Sequence, residues 1–264
     1  MLSSLVYLVS AATMTPLAQK SKISFAGRKD YLLIFAIAVS GATIAPSLYF
    51  FGLTHATASD AAVMVNGEVF FSVLLALVFF KERLKLPGYF AAALVLVGIF
   101  IVTTDLDFVT LTLQQIHYQD ALIIVATLFW AIDNNLSRTL AQRADVAKIA
   151  QLKSGIGGTI LLVITVFVLG NTFNITASEI GPILLLGAAG FAASLYFFLQ
   201  SLKRIGTVKT ILIFSTSTVF GLIFASIFLQ EQISVYQIAA TVIIIFGIYL
   251  LNRNETTTNQ VENS

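Results

Sequence analysis

Nine stretches of the chain are apolar at nearly every position, and polar residues gather between them. They run Leu2–Ala18, Tyr31–Leu53, Ala58–Phe80, Leu86–Thr103, Asp120–Leu136, Ile149–Leu169, Ile180–Leu202, Thr210–Leu229 and Val235–Leu251. A helix needs about 20 such residues to cross a bilayer. The apolar positions fill most of each helical circumference, as suits helices surrounded by lipid and by one another. The alternation of a membrane barrel strand is missing. The pattern predicts an all-α polytopic membrane protein with nine transmembrane helices. The first stretch has no basic n-region and no clear small-x-small cleavage site, so it reads as a retained span.

Composition sharpens this reading. Of 264 residues, 58% are apolar and 11% charged. A soluble globule of this size could not hide so much apolar surface. The chain has no cysteine, which excludes disulfides and thiolate chemistry. The net charge of +2 contains no basic block, so nucleic acid is not an expected partner.

The charges sort by loop. All fifteen Lys and Arg residues fall in or beside Lys20–Asp30, Lys81–Lys85, Arg138–Ala147, Lys203–Lys209 and the tail. The intervening connections carry none, and they hold Asp105, Asp107, Glu179 and Glu231. Nine alternating crossings put every basic loop on one side. Positive charge stays in the cytoplasm, so the N-terminus is expected outside and the C-terminus inside.

The chain also repeats itself. An offset of 149 residues, Leu53 onto Leu202, pairs Phe71 with Phe220, Ala76 with Ala225, Glu82 with Glu231 and Gly98 with Gly247. Span boundaries coincide throughout. Span 6 maps onto span 1, and span 5 would map before residue 1. The unit therefore has five spans, and its first copy lacks the first. Five is odd, so the copies are expected in opposite orientations: residues 1–104 form one repeat, 105–119 an external linker, 120–251 the second repeat, and 252–264 a polar cytoplasmic tail. Inverted repeats of this kind build secondary transporters, with the substrate site near the midplane.

Several polar residues lie inside apolar spans. Glu68 is near the centre of span 3, where a charge costs roughly 2.5–3.5 kcal/mol on insertion scales. It must face a cavity, pair, or stay protonated. It reads as a proton-coupling or substrate-amine site, or as a neutral acid bonded to a neighbouring helix. Asp133 and Asn134 share the end of span 5, and Trp130, Asp133 and Ser137 lie on one helical face. That face could line a substrate path, or Asp133 could pair locally with Arg138. Tyr196 and Gln200 are one turn apart in span 7, and Tyr49 is in span 2. All three can orient a polar solute or bond between helices. Asp60 and His55 read as solvated external ends, Glu82 and Glu231 as interfacial fold residues, and Lys153 as a positive-inside anchor. Gly155, Gly157, Gly158, Gly187 and Gly190 suit close helix packing. Two distant histidines, His55 and His117, make a poor metal site. No enzyme constellation and no cofactor motif is present. Asn174-Ile-Thr176 fits a glycosylation sequon.

The run Glu68-Val-Phe-Phe-Ser-Val-Leu-Leu-Ala-Leu-Val-Phe-Phe-Lys-Glu82-Arg-Leu, with Gly98 beyond it, resembles two consecutive helices of the EamA family of the drug/metabolite transporter superfamily. Leu202-Lys-Arg-Ile-Gly206, Ser215-Thr-Ser-Thr-Val-Phe-Gly221 and Leu229-Gln-Glu231 are similar to the corresponding later segments. The resemblance implies a carrier of two five-helix inverted repeats, from which this chain departs by lacking the first helix. The expected function is a secondary carrier, an exporter of a small organic metabolite, working by alternating access in the plasma membrane. Proton coupling would run through Glu68, and Trp130, Asp133, Asn134, Tyr49, Tyr196 and Gln200 would line the substrate path. The alternatives are a non-transporting membrane receptor or assembly module, a truncated inactive carrier, or an enzyme acting on lipid.

Overall fold

The computed structural model describes residues 1–20, 27–79, 86–104, 106, 118–170 and 176–261. The described residues are helical and contain no strand. Helix 1 is Leu2–Gln19, helix 2 Arg28–Gly52, helix 4 Leu86–Thr103 and helix 5 Tyr118–Ala141. Helix 6 is Val146–Val168, helix 7 Ala177–Ile205 and helix 9 Val235–Val261. Helices 3 and 8 are each broken, into Ala58–Met64 and Gly67–Phe79, and into Thr207–Ser215 and Ser217–Phe228. Helices 2, 6 and 7 each have the length and hydropathy to cross a membrane unaided. Glu82, His117 and Asn174 lie outside the described residues.

Helix starts follow the polar side chains. Asp145 accepts from the amides of Ala147 and Lys148 at 2.9 and 3.3 Å and so begins helix 6. Thr176 and Glu179 form a reciprocal capping box at helix 7. The Glu179 carboxyl is held below the usual carboxylate range, first by the Thr176 backbone amide and then by its hydroxyl. Gly206, at φ 83°, makes the turn from helix 7 into helix 8 that a side chain would strain. Helices 6 and 7 begin before their apolar stretches because these capped, polar turns continue the helix past the hydrophobic boundary.

Two compact units emerge. The first joins residues 1–46 and 132–207; the second joins 47–131 and 208–264. Each unit draws helices from both halves of the chain, and helices 2 and 5 each contribute to both.

In the first unit helix 1 packs along helix 6 and against helix 7. Small residues permit the approach: a Cβ on Gly157 would come within 2.4 Å of Ala42, and one on Gly187 within 2.6 Å of Val9. Ile37, Leu140, Ile149, Leu199 and Leu202 fill its core. In the second unit helix 4 packs along helix 9, where a Cβ on Gly98 would meet Ile244 at 2.4 Å. The first half of helix 3 packs on the second half of helix 8, with Gly221 against Ala62. The pairs 1 with 6, 4 with 9 and 3 with 8 are the pairs that the 149-residue offset equates.

Candidate functional site

The break in helix 3 has a local cause. The Asn66 side chain donates to the carbonyl of Val63, three residues back, at 2.9 Å. It thereby competes with the helical ladder, and the backbone tightens through Asn66 N to Val63 O and Glu68 N to Val65 O. Helix 8 breaks by the same device. Thr216 Oγ1 donates to Ile213 O at 2.7 Å, and Thr216 N bonds the same carbonyl. Residue 66 shifted by 149 is 215, so the two breaks fall within one residue of each other in the repeat register.

The broken helices join at these points. Asn66 Nδ2 donates to Thr218 Oγ1 at 2.7 Å, and Thr218 Oγ1 donates to Ala62 O at 3.1 Å. Glu68 begins the second half of helix 3 and is 5% exposed. It lines a small cavity with Asn66, Ile211, Ser215, Ser217 and Thr218. About 10 Å³ there is open to the centre of a water-sized sphere, room for a single water. Ser72, one turn beyond Glu68, has a buried hydroxyl without a hydrogen-bond partner among the described residues. Neither Trp130 nor Asp133 lines this cavity.

Asp133 belongs to the first unit. It is 1% exposed, accepts from Ser137 Oγ at 3.0 Å and is ion-paired with Lys153. Lys153 is therefore no positive-inside anchor. It is buried two turns into helix 6, and its partner is Asp133. Arg138, the expected local partner of Asp133, is exposed. The pair is packed against helix 2 where that helix widens into a π-turn at Ser40–Ile44. Gly41 lies in the turn, and a Cβ there would fall 2.1 Å from Asp133 Oδ2. The Tyr7 hydroxyl donates to Gly41 O at 3.3 Å. π-Turns of this kind recur at functional sites.

The other candidates divide between the units. Tyr49 and Trp130 meet in the second, their rings tilted at 54° with centroids 5.3 Å apart. Tyr196 and Gln200 are in the first, bonded to each other at 3.0 Å. Asn134 is buried beside Asp133 on helix 5. Asp60 is not a solvated end: it is buried, accepting from Thr57 Oγ1 and from Gln237 Nε2 of helix 9 at 2.6 Å each. Glu231 caps helix 3, accepting from Ala58 N, Ser59 N and Ser59 Oγ at 3.1, 3.0 and 2.7 Å. Partial burial raises its pKa, and these bonds outweigh that to hold it below the usual carboxylate range. Lys153, Asn66, Thr218 and Gln237 were not legible as site residues from spacing, although Asn66 stands out as the polar residue two positions before Glu68.

The EamA-like transporter family matches residues 1–104 and 118–253. The chain belongs to this family. This EamA-like protein is 30% identical over 227 residues to an uncharacterized transporter of Methanothermobacter thermautotrophicus, covering 86% of this chain and 66% of that one. It is 24% identical to the uncharacterized transporter YyaM of Bacillus subtilis, covering 84% of this chain and 73% of that one. The chain thus spans about two thirds of the first relative's length. A solved crystal structure superposes with a TM-score of 0.69 over 95% of this chain and 87% of its own, at 15% identity, which establishes a shared fold.

Proposed function

We propose that this EamA-like protein is a secondary carrier, an exporter of a small organic metabolite, built from two oppositely oriented repeats. Its substrate path would be exposed alternately to the two sides of the plasma membrane, with the N-terminus outside and the C-terminus in the cytoplasm. The observation that carries this reading is the meeting of two broken helices at register-matched breaks. Discontinuous helices free backbone groups at membrane depth, and that is tolerated where they line a polar cavity. Glu68 stands beside the break and is the group proposed to load and release a proton. Trp130, Asp133, Asn134, Tyr49, Tyr196 and Gln200 remain the proposed substrate-path residues. The family membership and the relatives named as transporters support the carrier reading.

Counterflow tests it. Proteoliposomes loaded with a host metabolite extract are diluted into a labelled copy of the extract, and exchange is followed by mass spectrometry. The expected result is saturable, mutually competitive exchange of a narrow set of small metabolites. Intact, correctly inserted protein without exchange would support a non-transporting membrane module instead.

A further inference from the structure

Helices 1, 2 and 6 frame an open groove of about 480 Å³ in the first unit. Its walls are Ala11 of helix 1, Phe35 of helix 2, and Leu152, Gly155, Ile156 and Ile160 of helix 6. Gly155 keeps it deep: a Cβ there would meet only Ala11, at 3.7 Å. From residue 151 to residue 160 the groove follows helix 6 for about 13 Å, inside the apolar stretch Ile149–Leu169. Half the hydrocarbon core of a bilayer is about 15 Å deep. The opening belongs to the helices that form it. Ala11 and Ile160 are 149 residues apart, and both line the groove. Ile160 stays open to it in the presence of helix 5, so a helix standing to Ala11 as helix 5 stands to Ile160 would leave Ala11 open as well.

One end of the groove is polar and cationic. Gln151 lines it, and its Nε2 donates to Thr15 Oγ1 at 2.9 Å. Gln151 Oε1 accepts from Lys148 Nζ at 3.3 Å. The Lys148 ammonium has three donors, and among the described residues it makes no ion pair and no other hydrogen bond. Lys20, Arg28 and Lys29 are exposed at the same end, where helix 1 finishes and helix 2 starts. The acids nearby are already engaged: Asp145 caps helix 6, and Asp30 is paired with Arg143. An apolar slot of one leaflet's depth that ends at an ammonium with donors to spare matches a lipid with an anionic headgroup. A polar metabolite would find only Thr159 beyond Gln151. A 13 Å length of helix, about 10 Å across, would displace roughly 1,000 Å³, about twice what the groove holds.

We infer that this groove binds one anionic phospholipid from the leaflet at the basic end of the first unit. An acyl chain lies against Leu152, Gly155 and Ile156, and the phosphate meets Lys148 and Gln151 in charge-assisted hydrogen bonds. The lipid bridges helices 1, 2 and 6, so its binding stabilises the folded protein by mass action. The site lies apart from the broken helices, and the inference does not rest on the carrier reading.

The test uses the purified full chain, freed of host lipid and titrated with phosphatidylglycerol or with phosphatidylcholine of the same chains. Native mass spectrometry reads occupancy, and thermal unfolding reads stability. Wild type should bind one phosphatidylglycerol about tenfold more tightly than phosphatidylcholine, and its melting temperature should rise as the site fills. Lys148→Gln should weaken phosphatidylglycerol about fivefold and leave phosphatidylcholine unchanged. Lys203→Gln, which removes a cation in the last turn of helix 7, is the control and should bind as wild type does. Gly155→Leu fills the slot and should weaken both lipids about tenfold. Phosphatidylglycerol with a diazirine in its acyl chain needs no variant: on wild type it should label residues 151–160 and Phe35. Equal binding of the two lipids would overturn the site. So would equal losses at Lys148→Gln and Lys203→Gln, undiminished binding by folded Gly155→Leu, or label confined to other helices. None of these readouts depends on transport, so a failure here leaves the carrier reading standing, and a failure of counterflow leaves the lipid site standing.

Discussion

The two compact units handle polar groups within the apolar spans in opposite ways. The first keeps its helices continuous, widens three of them into π-turns, and neutralises a buried aspartate with a buried lysine. The second breaks two helices, ties the breaks together through Asn66 and Thr218, and leaves a water-sized cavity beside Glu68. The first arrangement closes its charges on each other, with Ser137 on the remaining carboxylate oxygen. The second keeps an acid next to a space that a water or proton can enter. The proposed proton-coupled step therefore belongs with the broken helices, and the ion pair fixes Asp133 in the other unit.

The largest expected effect comes from splitting the ion pair. Lys153→Met leaves Asp133 buried without its counter-charge, at a cost of about 3–5 kcal/mol. Thermal unfolding in detergent should show a large loss for Lys153→Met and for Asp133→Leu. The double variant should recover most of it, because a buried pair contributes little beyond an apolar pair of similar size. Equal losses in the single and double variants would show that the pair stabilises in its own right.

Next comes a contrast between two glycines, both in π-turns. Gly41→Ala drives a methyl into the Asp133 carboxyl and should cost about 1–3 kcal/mol. Gly190→Ala meets only the end of Leu186 and should be nearly neutral in detergent. Matching costs at both positions would remove the distinction between a covered and an uncovered glycine.

A smaller effect is expected at the cap of helix 3. Glu231→Ala removes the acceptor for two backbone amides and should cost about 1 kcal/mol. Its carboxyl titrates lower in the folded protein than in the unfolded chain. The stabilisation is therefore complete above the unfolded value, near 4.3, and disappears as pH falls through the lower folded value. The difference in melting temperature between wild type and Glu231→Gln should shrink over that acid range. A difference that grows with acid would reverse the assignment.

Smaller still is the tie between the breaks. Asn66→Ala gives up one interhelical hydrogen bond and should cost about 1 kcal/mol. It should also lengthen helix 3, because the side chain competing for Val63 O is gone, and faster amide exchange at residues 63–69 is not expected.

The sequence makes the helices legible because each apolar stretch is long and bounded by charge. It makes the family legible because the runs after Glu68 and Leu202 are distinctive. The breaks are less visible, since Asn66 and Thr216 act through hydrogen bonds to their own backbone rather than through proline or glycine. Lys153 misleads because a lysine near a cytoplasmic boundary is normally an anchor, and only three-dimensional packing brings Asp133 to it. Asp60 misleads for the same reason: Gln237, far along the chain, is what allows it to be buried. The split of helix 5 between units, with Trp130 in one and Asp133 in the other, has no signature in helical periodicity.

Glu68, beside the helix breaks, is the residue proposed to exchange the proton that drives transport. Glu68→Gln keeps its volume and hydrogen-bonding capacity and removes titration. In proteoliposomes carrying an imposed pH gradient, the variant should insert normally and retain counterflow of the metabolites identified with wild type. It should lose their pH-driven accumulation. Accumulation equal to wild type at Glu68→Gln would contradict the account.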